Sequence, residues 1–229
     1  MATKTATTEI INIRPVEMRQ LVVTIQGDTP LIVHAWSEKA KRMMLESQQK
    51  KAKGKAKEIR NPVAEFIDSM YWLTPKPNTD IGMSEEECEV VFNAAIAAGA
   101  KFGFPAIAIK KAGNSVAYRT GDVKNQMGLR CAYGIFGEDH SEFIEILTDE
   151  PPVMREDMVK IGMGTADLRY RGEFRNWSAR LILKYDANGQ YSLENIINTI
   201  NKGGMLNGIG EWRPERDGIS GTYHVVTAD

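Results

Sequence analysis

Histidine exchanges protons near neutral pH, so the three histidines of the chain, His34, His140 and His224, are the first candidates for catalytic chemistry. None of them stands in a HExxH, GxSxG or Walker pattern, which excludes the metal hydrolase, α/β-hydrolase and P-loop classes. His34 follows the apolar run PLIV and could act as a general base on a ribose hydroxyl. A packed or surface histidine is the commoner alternative for such a residue.

The acidic residues Asp157, Asp167 and Glu173 are scattered through a polar segment, where carboxylates are usually solvated. We therefore expect neither a metal site nor a cofactor. The two cysteines, Cys88 and Cys131, have no CxxC spacing, which predicts a reduced, cytosolic protein without a disulfide framework.

Arginines stand beside aromatic residues in LRYR (168–171), FRNW (174–177) and WR (212–213). Guanidinium groups bind phosphates and aromatic rings stack on bases, and single-strand recognition needs both. The alternative is that these residues are half-buried in strands. The binding candidates from this pattern and its neighbourhood are Arg169, Arg171, Arg175, Trp212, Arg213 and Arg216.

A basic tract extends from Ser37 to Arg60 and holds nine Lys or Arg against three Glu, although the whole chain has a net charge of −1. A basic segment on an acidic body favours binding to an anionic polymer. A solvated, lysine-rich loop is the alternative. The binding candidates in this tract are Lys39, Arg42, Lys50, Lys51, Lys53, Lys55, Lys57 and Arg60.

Six glycines lie in the stretch GGMLNGIGEWRPERDGISG (203–221). A hairpin turn needs only one or two residues with positive φ, so six glycines predict close approach of the backbone to a ligand, a strand or a packed helix. A dinucleotide fingerprint is excluded, because these glycines follow a predicted helix and precede a predicted strand. They are Gly203, Gly204, Gly208, Gly210, Gly218 and Gly221.

The elements that must position these residues follow from apolar periodicity and capping residues. Strands are predicted at 20–27, 142–149, 178–187 and 222–228. Helices are predicted at 37–49, from Ser84 with a capping box, at 105–118 and at 191–204, while 63–73 has helical spacing with an aromatic end that could begin a strand. The polar segment near 150–177 is predicted to be a long inserted loop.

The composition is ordinary for a globular protein, with 42% hydrophobic and 26% charged residues. The sequence shows no apolar run of membrane-spanning length and no apolar core of a signal peptide near its first residues. We expect no membrane partner. The predicted organisation is an arm at 1–15 followed by a single domain at 16–229, with a basic insertion near 50–62.

The order of a helix, the glycine-rich stretch 203–221 and a closing strand resembles the C-terminal glycine-rich loop of the RAMP superfamily, the ferredoxin-like or RRM-like proteins of CRISPR effector complexes. The stretch FPAIAIKKA (104–112) is similar to the Pro-x-x-x-hydrophobic-Lys-Gly helix start of many such proteins, with Lys111 in place of the glycine. It adds Lys110 and Lys111 to the binding candidates. The chain also looks like a protein family of tailed phages, through TPLIVHAWSEKA, GTADLRYRGEF and GEWRPE.

The resemblance implies an α+β fold with a ferredoxin-like (RRM/RAMP, Cas7-like) β-α-β-β-α-β core and long inserted loops. It implies a non-catalytic, phage-type protein in the cytoplasm of a bacterial host, which binds single-stranded RNA or DNA as a homo-oligomer in a filament or ring. Two alternatives remain open. One is a metal-independent endoribonuclease that uses His34, and the other is a self-assembling structural protein that binds no nucleic acid.

Overall fold

The chain has a mixed α+β fold in which the strands pair antiparallel. The computed structural model describes residues 14–36, 44–45, 60–79, 82–161 and 164–226. Its strands are β1 (Met18–Gly27), β2 (Leu31–Val33), β3 (Tyr71–Trp72), β4 (Phe102–Pro105), β5 (Tyr133–Phe136), β6 (Phe143–Leu147), β7 (Val153–Ile161), β8 (Thr165–Phe174), β9 (Ser178–Asp186) and β10 (Tyr223–Val225). Its longer helices are α1 (Pro62–Asp68), α2 (Glu85–Ala97), α3 (Ala106–Arg119), α4 (Gln126–Ala132) and α5 (Leu193–Leu206).

The larger sheet has the strand order β10-β1-β9-β6-β4-β3, and β5 also pairs with β9. Strands β5 and β6 share β9 as their neighbour, since Phe136 is the partner of Ile182 and Ile146 is the partner of Ala179. Residues 137–142 leave the sheet between these two strands. Strand β9 alternates in burial, so that one face of the sheet belongs to the core and the other does not.

Helices α3 and α5 cover the core face of this sheet. Each has an apolar stripe of buried residues, which includes Ile109 and Val116 on α3 and Ile196 and Ile200 on α5. Ser192 caps the first turn of α5 by accepting a hydrogen bond from the amide of Asn195. The two helices and the sheet therefore enclose the main core.

Strands β2, β8 and β7 form a separate three-stranded sheet in the order β2-β8-β7. The segment near 150–177, predicted as a loop, is thus a long hairpin followed by a short connection to β9. The alternation of apolar residues did not predict this hairpin, because several of its buried positions are polar. Asp157, Arg171 and Glu173 are at most 7% exposed. These side chains form ion pairs that stabilise the hairpin, where an ordinary strand would have alternating apolar residues.

Several predicted elements are confirmed. Strands cover most of 20–27, 142–149 and 178–187, and β10 covers part of 222–228. Helix α2 follows Ser84 with both hydrogen bonds of the capping box to Glu87, and α3 and α5 match the helices predicted at 105–118 and 191–204. The segment 63–73 divides into α1 and β3. The helix predicted at 37–49 lies almost wholly outside the described residues.

Candidate functional site

A cleft of about 740 Å³ lies between helix α3 and the glycine-rich loop, which we define as residues 207–221. Helix α3 contributes Lys110 and Lys111, and α4 contributes Arg130 from the side. His34 lines the cleft just beyond β2. The floor is apolar and includes Tyr71, Phe104, Ile107 and Ile209.

Lys110 is a half-buried cation without a carboxylate partner among the described residues. Its ammonium lies 5.3 Å from the centre of the Tyr133 ring, a contact that is attractive but does not neutralise the charge. Burial lowers the pKa of Lys110, because the charged form has lost part of its hydration. An anion in the cleft would restore that lost stabilisation.

Two further cations of the cleft also lack a carboxylate partner among the described residues. Lys111 is exposed. The Arg130 guanidinium donates a hydrogen bond of 2.8 Å to the neutral Gln126 side chain. Together with Lys110, these side chains place three uncompensated positive charges along one wall.

The acidic groups of the cleft are already bound to arginines. Glu215 forms ion pairs with Arg213 at 2.8 Å and with Arg119. Hydrogen bonds from Arg119, with further ones from Arg213, lower the pKa of Glu215. Arg213 also donates to the carbonyl oxygen of Gly210 at 2.8 Å. Arg213, which the sequence predicts to bind a phosphate, therefore stabilises the glycine-rich loop on which it lies.

His34 is half-buried at the edge of the cleft, where its surroundings favour the neutral imidazole. Burial, with a smaller contribution from the nearby charge of Arg171, lowers the pKa of His34. Arg171 is held by Asp157 at 2.9 Å and by Glu211 at 3.4 Å. The amide of Glu211 in turn donates to the carbonyl of Ile32 in β2 at 2.9 Å. His34 thus stands at the junction of the small sheet and the glycine-rich loop.

The glycine-rich loop folds back on itself. Backbone hydrogen bonds join Ile209 to Gly221, Trp212 to Ser220 and Arg213 to Gly218. A Cβ atom built on Gly221 or Gly218 would lie 1.8 Å from the carbonyl oxygen of Ile209 or Trp212, respectively. Side chains at these two positions would force the loop apart.

The other four glycines also make close internal contacts. Gly208 and Gly210 have positive φ angles of 67° and 78°, which other residues adopt only with strain. Gly203 and Gly204 lie within α5 rather than in the loop, and a Cβ on Gly204 would lie 2.1 Å from the carbonyl oxygen of Tyr223. The six glycines predict close approach of the backbone to a ligand, a strand or a packed helix. The structure shows approaches to a helix and to a strand, and it also shows close contacts within the loop itself.

The structure does not bring the hairpin arginines to the cleft as free cations. Arg169 pairs with Asp167 at 2.9 Å and Arg175 with Glu173 at 2.8 Å. Arg171 has a side chain only 6% exposed. Its guanidinium is buried between the carboxylates of Asp157 and Glu211, and its contact with a phosphate stays a prediction.

The remaining predicted binding residues are dispersed. Arg60 pairs with Glu65 and Asp167 at 2.5 and 2.7 Å. Trp212 is 40% exposed with a φ of 53°, and Arg216 is exposed at the loop surface. The candidates in the basic tract other than Arg60 lie outside the described residues: Lys39, Arg42, Lys50, Lys51, Lys53, Lys55 and Lys57.

Sequence reasoning missed Arg130 and the buried Asn114. The hydroxyl of Tyr133 donates to the Asn114 side chain at 2.8 Å, and this hydrogen bond fixes the aromatic ring that supports Lys110. A buried asparagine at the fourth position after Lys110 is a detectable helical signal, since both lie on one face of α3. Arg130 carried no signal, because α4 itself was not predicted.

In the part of the chain that the structure describes, His, Cys, Asp and Glu side chains form no group of three that could hold a metal ion. Within the same ranges, none of the helices combines the length and the hydropathy that a bilayer crossing requires. Comparison of the chain with the models of known protein families gives no match, and comparison with curated proteins gives none either.

Proposed function

We propose that the protein binds single-stranded nucleic acid in the cleft between α3 and the glycine-rich loop. The observation that carries the proposal is the half-buried ammonium of Lys110, which no carboxylate compensates among the described residues. Lys111 and Arg130 extend the positive wall, and the apolar floor gives unstacked bases a surface. A flexible strand offers phosphates and apolar rings at this spacing, whereas a duplex hides its bases.

The strand order supports a ferredoxin-like core as part of this proposal. Strands β10-β1-β9-β6 lie side by side and antiparallel. Along the chain, α3 lies between β1 and β6, and α5 lies between β9 and β10. This is the β-α-β-β-α-β order of such a core. Residues 28–105 and the β7–β8 hairpin are then insertions into this core, and the resemblance to the RAMP superfamily is consistent with such an arrangement.

The proposal includes assembly of several copies along one strand. The outer face of the β7–β8 hairpin exposes apolar side chains, with Met154 at 42%, Met158 at 70% and Leu168 at 39%. Met158 is the cross-strand partner of Leu168. Apolar side chains on a projecting hairpin favour contact with a neighbouring copy, and a head-to-tail contact of this kind gives a filament or a ring.

A second candidate function is metal-independent cleavage of RNA, and the position of His34 favours it. The imidazole lines the cleft, and burial lowers its pKa, which favours the unprotonated form that a general base uses. Replacing His34 with alanine would then abolish cleavage and preserve binding. If the wild-type protein leaves labelled RNA intact after long incubation, this second function is excluded.

The binding proposal is tested by fluorescence anisotropy with labelled single-stranded RNA and DNA at two salt concentrations. The cleft variant Lys110→Met/Lys111→Glu should lose about tenfold or more in affinity, because two phosphate contacts are removed and a repulsive charge is added. Lys202→Glu is the charge control, since Lys202 is 47% exposed on α5 and is not among the residues that line the cleft. It should bind as the wild type does.

Absence of binding by the wild-type protein at low salt would overturn the proposal and leave a self-assembling structural role. Equal losses in the cleft variant and in Lys202→Glu would show that the cleft is not the binding site. Assembly is checked on the same samples by light scattering with strands of increasing length. Mass should rise in regular steps if copies add along the strand.

A further inference from the structure

The face of the large sheet opposite to α3 and α5 carries the aromatic ring of Phe136 on β5, the strand that pairs with β9. Val22, Ile182 and Phe136 are cross-strand partners on β1, β9 and β5, so they form a short apolar row on this face. Val22 is 53% exposed, and Ile182 and Phe136 are half-exposed. We call this surface the open face.

The Phe136 ring lies flat against the sheet because Gly134 leaves room for it. A Cβ atom on Gly134 would lie 2.7 Å from Cε2 of the Phe136 ring. Any side chain at 134 would therefore lift the ring away from the backbone. In designed and natural sheets an aromatic side chain can cover a glycine of a strand in this way. Here the contact between Gly134 and Phe136 leaves the ring of Phe136 on the surface.

A second ring stands beside Phe136 because the backbone there is held in an unusual conformation. Asp139 and His140 have positive φ angles of 51° and 62°, a region that costs energy for residues other than glycine. The ends of this excursion are tied by the hydrogen bond from the Gly137 amide to the Ser141 carbonyl at 2.9 Å. The His140 ring is 5.9 Å from that of Phe136, with an interplanar angle of 43°.

The ammonium group of Lys184 contacts both rings and places a positive charge beside them. It lies 5.6 Å from the centre of the Phe136 ring and 2.7 Å from Nε2 of His140. Since an ammonium can only donate, the His140 nitrogen accepts this hydrogen bond. Lys184 forms no ion pair with a carboxylate in the described part of the chain. The other cation of the same face, Arg180, has only a long ion pair of 3.7 Å with Glu138.

We propose that Phe136, His140 and Lys184 form a stacking site for a base of single-stranded nucleic acid, separate from the cleft. The rings supply flat apolar surface, and Lys184 with Arg180 supplies the positive charge that an adjacent phosphate needs. This inference rests on the proposed single-strand binding and adds a second contact surface on the opposite side of the large sheet.

The test compares a labelled oligothymidylate with an abasic strand of the same length, both measured by anisotropy. Phe136→Ala should weaken binding of the oligothymidylate about 5- to 100-fold, the range found when one base loses its aromatic partner. It should leave binding of the abasic strand unchanged, because that strand has no base to stack. Lys184→Gln should weaken binding of both strands, because it removes a phosphate contact.

Two control variants separate stacking from folding and from general apolar contact. Phe136→Tyr keeps the ring and should bind as the wild type does. Met18→Ala removes a side chain that is 62% exposed on β1, and it should have no effect. Circular dichroism of each variant establishes that the sheet is intact.

The outcomes distinguish this proposal from the proposed function. If the wild-type protein binds neither strand, both are overturned. If it binds, but Phe136→Ala has no effect or has the same effect on the abasic strand, only the stacking site is overturned. A loss confined to the strand that has bases supports it.

Discussion

Gly113 and Gly203 meet where helices α3 and α5 cross, and a Cβ atom built on Gly203 would lie 2.5 Å from the backbone nitrogen of Gly113. A Cβ on Gly113 would itself lie 2.8 Å from the carbonyl oxygen of Thr199. The backbones of the two helices are therefore in contact without side chains between them. Lys110 lies one turn before Gly113 on α3, and the glycine-rich loop follows α5 directly, so this contact joins the two elements that border the cleft.

Gly203→Ala should destabilise the protein, because the added methyl group forces the two helices apart. Overpacking of this kind costs about 1–3 kcal/mol, which equilibrium denaturation with urea measures. The matched control is Gly128→Ala in α4, where the nearest atom to an added Cβ is 3.4 Å away. That variant should unfold at the wild-type midpoint or slightly above it, since alanine favours a helix. Equal losses in both would contradict the close-packing explanation.

Acidification should destabilise the protein partly through His34. The pKa of His34 is lowered on folding by burial and by Arg171, so the unfolded chain binds a proton that the folded chain excludes. By linkage, this part of the stability is complete above the unfolded pKa of about 6.5 and is lost as the pH falls below it. Replacing His34 with glutamine should flatten the dependence of unfolding free energy on pH between pH 5 and 7.5. An unchanged slope would show that His34 does not cause it.

Asp157→Asn should be strongly destabilising, because it removes the main partner of the buried Arg171. Breaking a buried ion pair from one side costs about 3–5 kcal/mol. Asp149→Asn, an exposed acid in the connection between β6 and β7, is the control and should be neutral within error. Thermal unfolding measures both variants. A neutral effect of Asp157→Asn would mean that Glu211 alone satisfies Arg171.

Asp157 and Glu173 should also make the stability of the protein depend on pH in the acidic range. Although burial raises the pKa of Asp157 and of Glu173, hydrogen bonds from Arg155, Arg171 and Arg175 more than offset it, and both pKa values are lowered. Their contribution to stability is present above the unfolded values of about 4 and is lost as the pH falls through the folded values. The urea midpoint of the wild type should therefore drop steeply below about pH 4, and less steeply in Glu173→Gln.

Lys111→Ala should reduce the salt dependence of nucleic-acid binding. One phosphate contact to a single strand contributes about 0.7 to the slope of log affinity against log salt concentration, so the slope should fall by that amount. Lys202→Ala should keep the wild-type slope. A slope that is identical in the two variants would place Lys111 outside the path of the strand.

Much of the fold follows from local sequence signals, and the parts that do not have physical reasons. Helices α2, α3 and α5 were predictable because each carries an apolar stripe, and α2 and α5 begin with a serine cap. The β7–β8 hairpin was not, because its inward positions are occupied by charged residues whose partners lie on the other strand. Local periodicity does not detect pairing of this kind.

The candidate site was predictable only in part. Arg213 and His34 were identified from residue type and context, and Lys110 and Lys111 from the family resemblance of residues 104–112. The structure gathers these four residues in one cleft. Which arginines are free was not predictable, because it depends on carboxylates brought close by folding. Asp157 and Glu173 form ion pairs with Arg171 and Arg175, two of the arginines that the sequence predicts as phosphate contacts.

The position of β1 between β10 and β9 in the large sheet governs the order in which the protein can fold. Val22 pairs with Ile182, and Ile25 pairs with Val225, so both neighbours of this early strand are synthesised long after it. Non-local pairing of this kind slows folding and leaves strand edges exposed in partly folded chains. During translation, β1 stays unpaired until β9 and β10 have been synthesised. In this period the nascent chain is most prone to aggregate or to bind a chaperone.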